Sequence, residues 1–402
     1  MNEGAYRRLH QRAHSLQALS IAADPSLVKQ ERAPVRVTHL IHDLRPGGAE
    51  HVLVDLATVA RDAGIEMSVV SMRPLASFGY VRQLRAAGVR VESLDLATWW
   101  DPRGPTRLRS LFPELRPEVL HSHLKHADVV AGGVAASKSV AHVSTLHPIE
   151  DGVGWVAARK RNIAVRSRRR TTGRTIAVSD AVRDWYLDVS GSDPATVVTI
   201  HNGVPDPGTF DEAELTALRA ELGIPDGAAV AAVVAIMRPG KGYDVLVDSL
   251  PHLANDRVVF LIVGDGPDSA RLRRRVGDTD RVVFAGFRDD VPKILAAADF
   301  VVHPSLGDAL PTALVQALAA GRPVVASAVG GIPEIVPTGA GVLVAPGDPK
   351  ALADAVDRVA ADTDGRRWMG KRARARYDEE FSAEDWADRL RSLYDEVLRR
   401  GR

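Results

Sequence analysis

The chain has 402 residues, 45% of them apolar, and its 52 basic and 51 acidic residues leave a formal net charge of +1. A chain of this length more often forms two domains than one. The near-neutral charge gives no general electrostatic case for a nucleic-acid partner. Cysteine is absent, which excludes disulfide bonds and thiolate chemistry and fits a reducing compartment.

The hydropathy of the chain bears on its location. No run of about 18 apolar residues occurs, so we expect no membrane-spanning helix, and the N-terminus lacks the apolar core of a signal peptide. Both patterns predict a cytoplasmic protein. Residues 1–34 are polar and basic, and we expect a frayed extension or a surface helix there, with a membrane-touching arm as the alternative.

Strand-like and helix-like segments alternate through the first half. An apolar run at residues 35–43 predicts a first parallel strand, and Pro46, Gly47 and Gly48 separate it from a helix with regularly spaced apolar residues. Glycines at such a junction let a ligand approach the backbone closely, although a tight structural turn explains them almost as well. The continuing alternation predicts right-handed crossovers and a doubly wound parallel sheet.

Polar residues follow several predicted strands of this half. Ligands of doubly wound sheets bind at the carboxyl ends of the strands, and the residues at these ends are Asp43, His121, His123, His147, Ser179 and Asn202. His121, His123 and His126 suggest a metal cluster, but spacing alone does not establish one, and no carboxylate or cysteine partner is evident. A polar substrate pocket is the interpretation that we favour.

Residues 159–174, from Arg159 to Arg174, form the strong charge cluster of the sequence. A solvated helix face is the usual origin of such a cluster. A patch for an anionic ligand or for a membrane surface with acidic lipids is the functional alternative. The sequence leaves both open.

A hinge is predicted near the middle of the chain. His201, Asn202, Gly203 and Val204 lead into a Pro- and Gly-rich connection, which suits a boundary between two domains. The alternation of strands and helices restarts at about residue 228. The sequence therefore predicts two similar halves.

Two loops of the second half have the pattern of phosphate sites. Residues 237–242 (MRPGKG) place Arg238 and Lys241 between a strand and a helix. Residues 303–327 again give strand, loop and helix, with Pro311 suited to the first helical turn and Gly321 to its end. The unpaired N–H groups and the positive end of such a helix favour an anion, usually phosphate.

These motifs resemble those of retaining glycosyltransferases of family four, whose signature is PS-x-x-E-G-x-P-x-x-x-x-E-A-x-A-x-G-x-P-V. The positions that match are Pro304, Ser305, Pro311, Ala317, Ala319, Gly321, Pro323 and Val324. The two glutamate positions hold Asp308 and Gln316 instead. The resemblance covers nearly the whole chain from about residue 35.

The resemblance implies an α/β protein with the GT-B fold. In that fold two Rossmann-like, doubly wound parallel-sheet domains face each other across a cleft, and a C-terminal helix crosses back. The implied divisions are an N-terminal extension (1–34), an acceptor domain (35–205), a nucleotide-sugar donor domain (206–380) and a final helix on the first domain (381–402).

The resemblance also implies roles for individual residues. His147, Arg238, Lys241 and Asp308 would be catalytic, with the two cations on the donor diphosphate, Asp308 at the sugar and Gln316 at the ribose. The residues implied on the donor side are Gly48, Arg238, Lys241, Gly266, Phe287, Asp308, Ala309, Leu310, Pro311, Thr312 and Gln316. Those implied on the acceptor side are Gly47, His121, His123 and His147.

Two fixed cations and a helix N-terminus stabilise the charge that grows on a departing diphosphate. We therefore expect no metal and no further cofactor besides the nucleotide-diphosphate sugar that serves as donor. Gln316 can still bond ribose hydroxyls, but it loses charge assistance worth on the order of 1 kcal/mol. His147 as a purely structural histidine, and Arg238 and Lys241 as ordinary surface charges, are the alternatives.

The predicted function is a retaining, metal-independent glycosyltransferase that acts on a glycan, lipid-linked or small-molecule hydroxyl. The expected route is front-side attack, with the departing phosphate helping to deprotonate the acceptor. Peripheral contact with an anionic membrane through residues 159–174 is a further expectation. The rival functions are a GT-B nucleotide-sugar epimerase or phosphorylase, and a nucleotide-binding protein with a degraded active site.

Overall fold

The structure is a computed structural model that describes residues 33–45, 47–75, 79–98, 101–136, 140–150 and 154–400. The chain divides into two units, Met1–Pro34 and Val35–Arg402, and the second holds the strands and helices given below. The predicted extension at residues 1–34 therefore lies almost entirely outside the described residues, as does Pro46.

The first half forms a sheet of seven parallel strands. They are β1 (Val35–Ile41), β2 (Ile65–Ser71), β3 (Arg90–Ser93), β4 (Val119–His123), β5 (Ala141–Leu146), β6 (Arg174–Ala177) and β7 (Val197–Thr199). Their order across the sheet is β3-β2-β1-β4-β5-β6-β7. The order reverses between β1 and β4, which is where doubly wound sheets open a ligand crevice.

Helices connect these strands. They are α1 (Gly48–Val59), α2 (Gly79–Ala86), α3 (Gly104–Ser110), α4 (Phe112–Leu115), α5 (Leu124–Ala135), α6 (Trp155–Thr171) and α7 (Asp180–Ser190), with a 3-10 turn at Pro194–Thr196. Strands β1 and β4 are buried along almost their whole length, as expected for central parallel strands with helices on both faces.

The second half forms a sheet of six parallel strands. They are β8 (Ala229–Val234), β9 (Val258–Val263), β10 (Val282–Gly286), β11 (Phe300–His303), β12 (Val324–Ser327) and β13 (Gly341–Val344). Their order is β10-β9-β8-β11-β12-β13. The order in which strands are added therefore reverses between β8 and β11. The prediction of two doubly wound parallel sheets is confirmed.

The helices of the second half follow the same alternation. They are α8 (Glu212–Glu221), α9 (Tyr243–Ser249), α10 (Ser269–Val276), α11 (Val291–Ala297), α12 (Thr312–Ala319), α13 (Ile332–Ile335), α14 (Pro349–Ala361), α15 (Thr363–Glu380) and α16 (Ala383–Arg400), with a 3-10 turn at Leu250–His252. None of the described helices has the length and apolarity needed to cross a bilayer.

The last helix, α16, returns to the first sheet. Its side chains Trp386, Leu390, Leu393 and Val397 are buried in the same apolar core as β1 and α1. Each such side chain contributes roughly 1.5–3 kcal/mol on burial. The segment before α16 also exchanges two backbone hydrogen bonds with Val204, from Val204 N to Phe381 O and from Ala383 N to Val204 O. The chain thus crosses between the halves twice, side by side.

An ionic cluster lies at this double crossing. His201 Nε2 is 3.0 Å from Glu334 Oε2, and His201 Nδ1 is 3.1 Å from Glu380 Oε1. Glu334 also accepts hydrogen bonds from the Asp180 and Ala181 N–H groups at the start of α7. Burial alone would lower the pKa of His201, but the bonds to the two glutamates outweigh burial and raise this pKa to about 9.

We predict that His201 stabilises the fold most at neutral pH and loses this effect in alkali. Because the folded-state pKa is raised, the contribution is complete below the unfolded value of about 6.5 and disappears as pH rises through about 9. The free energy of unfolding of wild type should exceed that of His201→Gln by on the order of 2 kcal/mol at pH 6.5. Denaturant unfolding measured from pH 6 to pH 10 should show the difference shrinking.

The control for this prediction is His252→Gln, because His252 is an exposed histidine in the 3-10 turn of the second half. Its stability difference from wild type should stay small at every pH. A His201→Gln difference that is the same at pH 6.5 and pH 10 would contradict the assigned charge of His201.

Candidate active site

The two loops predicted to bind phosphate lie against each other. Ser305 Oγ donates to Gly240 O at 3.1 Å, and the Leu306 N–H donates to the same carbonyl at 2.8 Å. Gly242 has a φ of +71°, and a Cβ there would lie 1.8 Å from Pro304 O. Only glycine allows this approach, so the loop carrying Lys241 is fixed against the loop that leads into α12.

Lys241 and Asp308 form a buried ion pair between these loops. Lys241 Nζ lies 2.9 Å and 2.7 Å from the two carboxylate oxygens of Asp308. His303, at the end of β11, donates from Nε2 to Asp308 Oδ2 at 2.9 Å. Burial alone would raise the pKa of the Asp308 carboxyl, but His303 and Lys241 outweigh burial and hold this pKa well below its ordinary value.

This arrangement differs from the role implied for Asp308 by resemblance. The carboxylate is ionised, its two oxygens are occupied by Lys241 and His303, and its side chain is mostly buried. It therefore acts first as the counter-ion of Lys241. His303 was not identified from the sequence, because a histidine inside an apolar strand pattern carries no signal of its partner.

Arg238 lies in the same loop as Lys241, and the Lys241 N–H donates to its carbonyl at 3.3 Å. Its side chain is exposed, and no carboxylate of the described residues lies within ion-pair distance of its guanidinium group. The side chain of Lys241 is mostly buried and paired with Asp308, whereas that of Arg238 is exposed.

The remaining predicted donor residues gather at the carboxyl ends of neighbouring strands. A Cβ on Gly266 would lie 2.4 Å from Met237 O, which fixes the turn after β9 against the turn after β8. Phe287 follows β10 and is 61% exposed. Ala309, Leu310 and Pro311 are buried between β11 and α12, and Thr312 begins α12.

Gln316 meets the first half of the chain. Its Nε2 lies 3.4 Å from Nε2 of His51 on α1. The same His51 atom is 3.5 Å from Asp55 Oδ1, and burial raises the pKa of Asp55 to about 6. The ring of Tyr80 lies 5.6 Å from the His51 ring. Sequence reasoning missed this group, because the contact joins residues 265 positions apart.

Gly47 and Gly48 lie at the start of α1. Gly47 occupies the N-cap position and Gly48 is the first helical residue. A Cβ on Gly48 would meet no atom within 4 Å, so the space next to it is open. The side chain of Glu50, in the same turn, has its pKa raised to about 7 by burial.

The predicted acceptor-side histidines form one connected group at the ends of β4 and β5. His147 is half-buried, whereas His121 and His123 are fully buried. His121 bonds Thr145 through Nε2 and Tyr394 of α16 through Nδ1, both at 2.7 Å. Both ring nitrogens of His121 are therefore occupied, and neither is free to contact a substrate.

The structure does not assemble the trio of His121, His123 and His126. The His126 ring lies 4.8 Å from that of His42, while His39 of β1 joins His121 and His123. Ring nitrogens of His39, His121 and His123 lie within 4.8 Å of one another. The rings of His121 and His123 are stacked, however, and the hydrogen bonds described here use their nitrogens. The group is arranged for hydrogen bonding.

The basic cluster at residues 159–174 divides into structural and exposed parts. Arg168 is buried and pairs with the buried Asp128 at 2.6 Å, and Arg174 pairs with Glu396 of α16 at 2.6 Å. These two residues are therefore not part of a surface patch. The residues of α6 that are exposed are Trp155, Val156, Arg159, Asn162, Ile163, Arg166, Arg169 and Arg170.

Two family models match the two halves of the chain. Residues 46–206 match the model described as Glycosyltransferase Family 4, and residues 228–362 match the model described as Glycosyl transferases group 1. Each half of the chain is thus similar to sequence found in glycosyltransferases.

Curated relatives agree with these matches. The D-inositol 3-phosphate glycosyltransferase of Mycobacterium tuberculosis is 34% identical over 236 residues, which are 55% of this chain and 48% of that protein. The N-acetyl-alpha-D-glucosaminyl L-malate synthase of Bacillus anthracis is 29% identical over 208 residues, 50% of this chain and 54% of that one. The chain therefore spans about half the length of these curated relatives.

Solved structures establish the fold. HepE of Anabaena, in complex with UDP and glucose, has a TM-score of 0.80 and 23% identity, covering 90% of this chain and 99% of that one. Sucrose-phosphate synthase of Thermosynechococcus elongatus has a TM-score of 0.75 and 22% identity, covering 91% and 100%. The chain has the GT-B fold, as the resemblance implied.

We predict that Asp308→Asn destabilises the free chain and that an anion corrects this. The variant leaves the buried Lys241 ammonium without its counter-ion, which costs about 3 kcal/mol. A diphosphate can take the place of the carboxylate. Thermal unfolding should show a lower melting temperature for the variant alone and a larger rise on adding UDP than wild type shows.

Asp354→Asn is the matched control for Asp308→Asn. Asp354 pairs with Lys350 at 2.6 Å, but both side chains are more than half exposed, so its loss should cost less than about 1 kcal/mol. UDP should raise its melting temperature as much as it does for wild type. Equal effects of UDP on Asp308→Asn and wild type would contradict the proposed exchange.

Proposed function

We propose that the chain is a retaining glycosyltransferase that transfers a sugar from a nucleoside-diphosphate sugar to a hydroxyl acceptor without a metal ion. The observation that carries this proposal is the placement of Lys241, next to Arg238 and at the N-terminal end of α12, in a GT-B fold. The structures of HepE with UDP, with UDP and glucose, and with UDP-glucose support a donor of this class.

Arg238, Lys241 and the first turn of α12 provide the positive charge that the leaving group needs. When the bond between the sugar and the diphosphate breaks, negative charge grows on the phosphate oxygens. The two cations and the N–H groups of Ala309, Leu310 and Thr312 can stabilise that charge, because Lys241 and these N–H groups are in place before the reaction. We assign no part of this stabilisation to a metal.

Asp308 is proposed to influence which sugar is accepted. In the free chain its carboxylate is held by Lys241 and His303 at the end of β11. A diphosphate that draws Lys241 away leaves one carboxylate oxygen for a sugar hydroxyl, at the position set by His303. An aspartate is one methylene shorter than the glutamate of the family signature, so the sugar must lie closer to β11.

On the acceptor side, we propose that His147 lies next to the transferring sugar and that the acceptor hydroxyl attacks from the face of the departing phosphate. A phosphate oxygen then accepts the hydroxyl proton, and the anomeric configuration is retained. Glycans, lipid-linked sugars and small-molecule glycosides all present hydroxyls suited to this step.

A binding-only protein with a degraded active site is the second candidate. The specific observation in its favour is that Asp308 already neutralises Lys241 in the free chain. Such a protein would bind a nucleoside diphosphate sugar and release neither nucleotide nor transferred sugar. Product analysis with and without acceptor separates it from a transferase, and also from an epimerase or phosphorylase.

The donor site is tested by thermal unfolding of wild type, Lys241→Ala and the control Lys350→Ala, each with UDP, GDP, ADP and dTDP and their common sugars. We expect one nucleotide to raise the melting temperature of wild type and of Lys350→Ala, and to raise that of Lys241→Ala far less. Lys350 is an exposed lysine of α14 that pairs with Asp354. Equal shifts in all three proteins would remove Lys241 from the diphosphate site.

We also propose that α6 contacts an anionic membrane from the cytoplasmic side. Trp155 is 78% exposed, and Val156 and Ile163 are exposed beside it. The arginines of the same helix add about 1 kcal/mol each near an acidic lipid surface. Apolar side chains next to exposed arginines are typical of helices that lie in a membrane interface.

We predict that Trp155→Ala reduces binding to vesicles that contain anionic lipid by at least threefold, because it removes the largest apolar contact with the bilayer. The matched control is Trp368→Ala, since Trp368 is also exposed (56%) but lies on α15. Vesicle sedimentation measures both. Equal binding of the two variants, or binding that does not depend on anionic lipid, would contradict contact through α6.

A further inference from the structure

A chain of three hydrogen-bonded imidazoles runs from the acceptor side into the core of the first sheet. His147 Nε2 lies 3.0 Å from His123 Nδ1, and His123 Nε2 lies 2.9 Å from His39 Nδ1. His147 is half-buried at the end of β5, while His123 and His39 are fully buried on β4 and β1. We call His39, His123 and His147 the histidine chain.

The three rings are neutral. Burial lowers the pKa of His39 to about 3 and that of His147 to about 4, and it holds the pKa of His123 well below its ordinary value. A neutral imidazole carries one N–H and one lone pair, so in each bond of the chain one ring donates and the other accepts.

Neutrality couples the tautomers of the three rings. If His147 carries its proton on Nε2, it donates to His123 Nδ1, and His123 must then donate from Nε2 to His39. If the direction is reversed, each ring carries its proton on Nδ1: His39 donates to His123, and His123 donates to His147. The chain therefore has two consistent states, all Nε2–H or all Nδ1–H.

The buried end of the chain favours the second state. His39 Nε2 is buried and has no hydrogen-bond partner among the described residues. In the first state this atom would be an N–H without a protein acceptor, and buried N–H groups without partners are rarer than unused acceptors.

We propose that His39 and His123 are positioning residues that hold His147 as the neutral Nδ1–H tautomer, so that His147 donates a hydrogen bond to a substrate oxygen and does not act as a base. The identity of that substrate rests on the proposed function, whereas the tautomer does not. Nδ1 of His147 is the ring nitrogen that His123 leaves unoccupied.

If His147 donates a hydrogen bond, the proton of the acceptor hydroxyl must pass to another group. In the proposed transfer, the bond from the anomeric carbon to the phosphate oxygen breaks and a bond to the acceptor oxygen forms. The acceptor O–H bond breaks in the same step, and its proton passes to an oxygen of the departing nucleoside diphosphate. His147 keeps its proton throughout and stabilises the oxygen that it contacts.

The direct test is histidine-selective ¹⁵N NMR of the full wild-type chain, which has 13 histidines. We expect His39, His123 and His147 all to show the Nδ1–H tautomer from pH 6 to pH 9, with ¹⁵N–¹⁵N couplings across both hydrogen bonds. Titration of His147 near pH 6.5, or a proton on its Nε2, would overturn the proposal.

Two variants of His39 test the positioning role. His39→Asn places an amide N–H where Nδ1–H was, so His147 should keep its tautomer. His39→Phe provides no donor, so His147 should show mixed tautomers and kcat should fall about tenfold, with the donor KM within twofold of wild type. The control is His142→Phe. His142 is equally buried, but its partners are Ser122 and Thr171, which do not belong to the histidine chain.

The proposed function and the positioning role of His39 and His123 can be refuted separately. A wild-type protein that shows the Nδ1–H tautomers but transfers no sugar from any donor would refute the proposed function and leave the histidine chain intact. An active wild type in which His39→Phe and His39→Asn give the same His147 spectrum and the same kcat would refute the positioning role alone.

Discussion

The donor side depends on one buried ion pair, that of Lys241 with Asp308. It lies where the loops after β8 and β11 are pressed together, and that contact exists because Gly242 has no side chain to meet Pro304 O. A lysine buried this far needs a counter-ion. Asp308 supplies it in the free chain, and a diphosphate can supply it in the complex. In the proposed function, binding a donor therefore exchanges one anion for another, and Lys241 keeps its charge and its position.

The buried polar side chains in the first half of the chain are stabilised in a different way. The histidine chain of His39, His123 and His147 is neutral, and its rings bond one another through N–H···N hydrogen bonds, so it needs no counter-ion. Helix α16 contributes Tyr394 to this group through His121. The same helix packs on the core of the first sheet. The residues at its start form backbone hydrogen bonds with Val204, in the connection between the halves. The C-terminal helix therefore ties the acceptor-side polar groups to the connection between the two halves.

The sequence predicts the fold well because each strand is an apolar run and each functional loop is marked by glycine or proline. The loops that carry Arg238, Lys241 and Asp308 were singled out for that reason. His39 and His303 were missed, because a histidine within an apolar run gives no sign of which residue it bonds. Arg168 was misinterpreted as part of a surface cluster, because its partner Asp128 lies 40 residues away in the sequence. Local patterns thus locate the site, and its electrostatics depend on contacts that they do not encode.

The central claim is that a donor diphosphate replaces Asp308 as the partner of Lys241. A crystal structure of the chain with a bound nucleoside diphosphate tests it most directly. We expect Lys241 Nζ within hydrogen-bond distance of a phosphate oxygen, with His303 still donating to Asp308. A diphosphate bound elsewhere, with both Lys241 contacts to Asp308 unchanged, would contradict it.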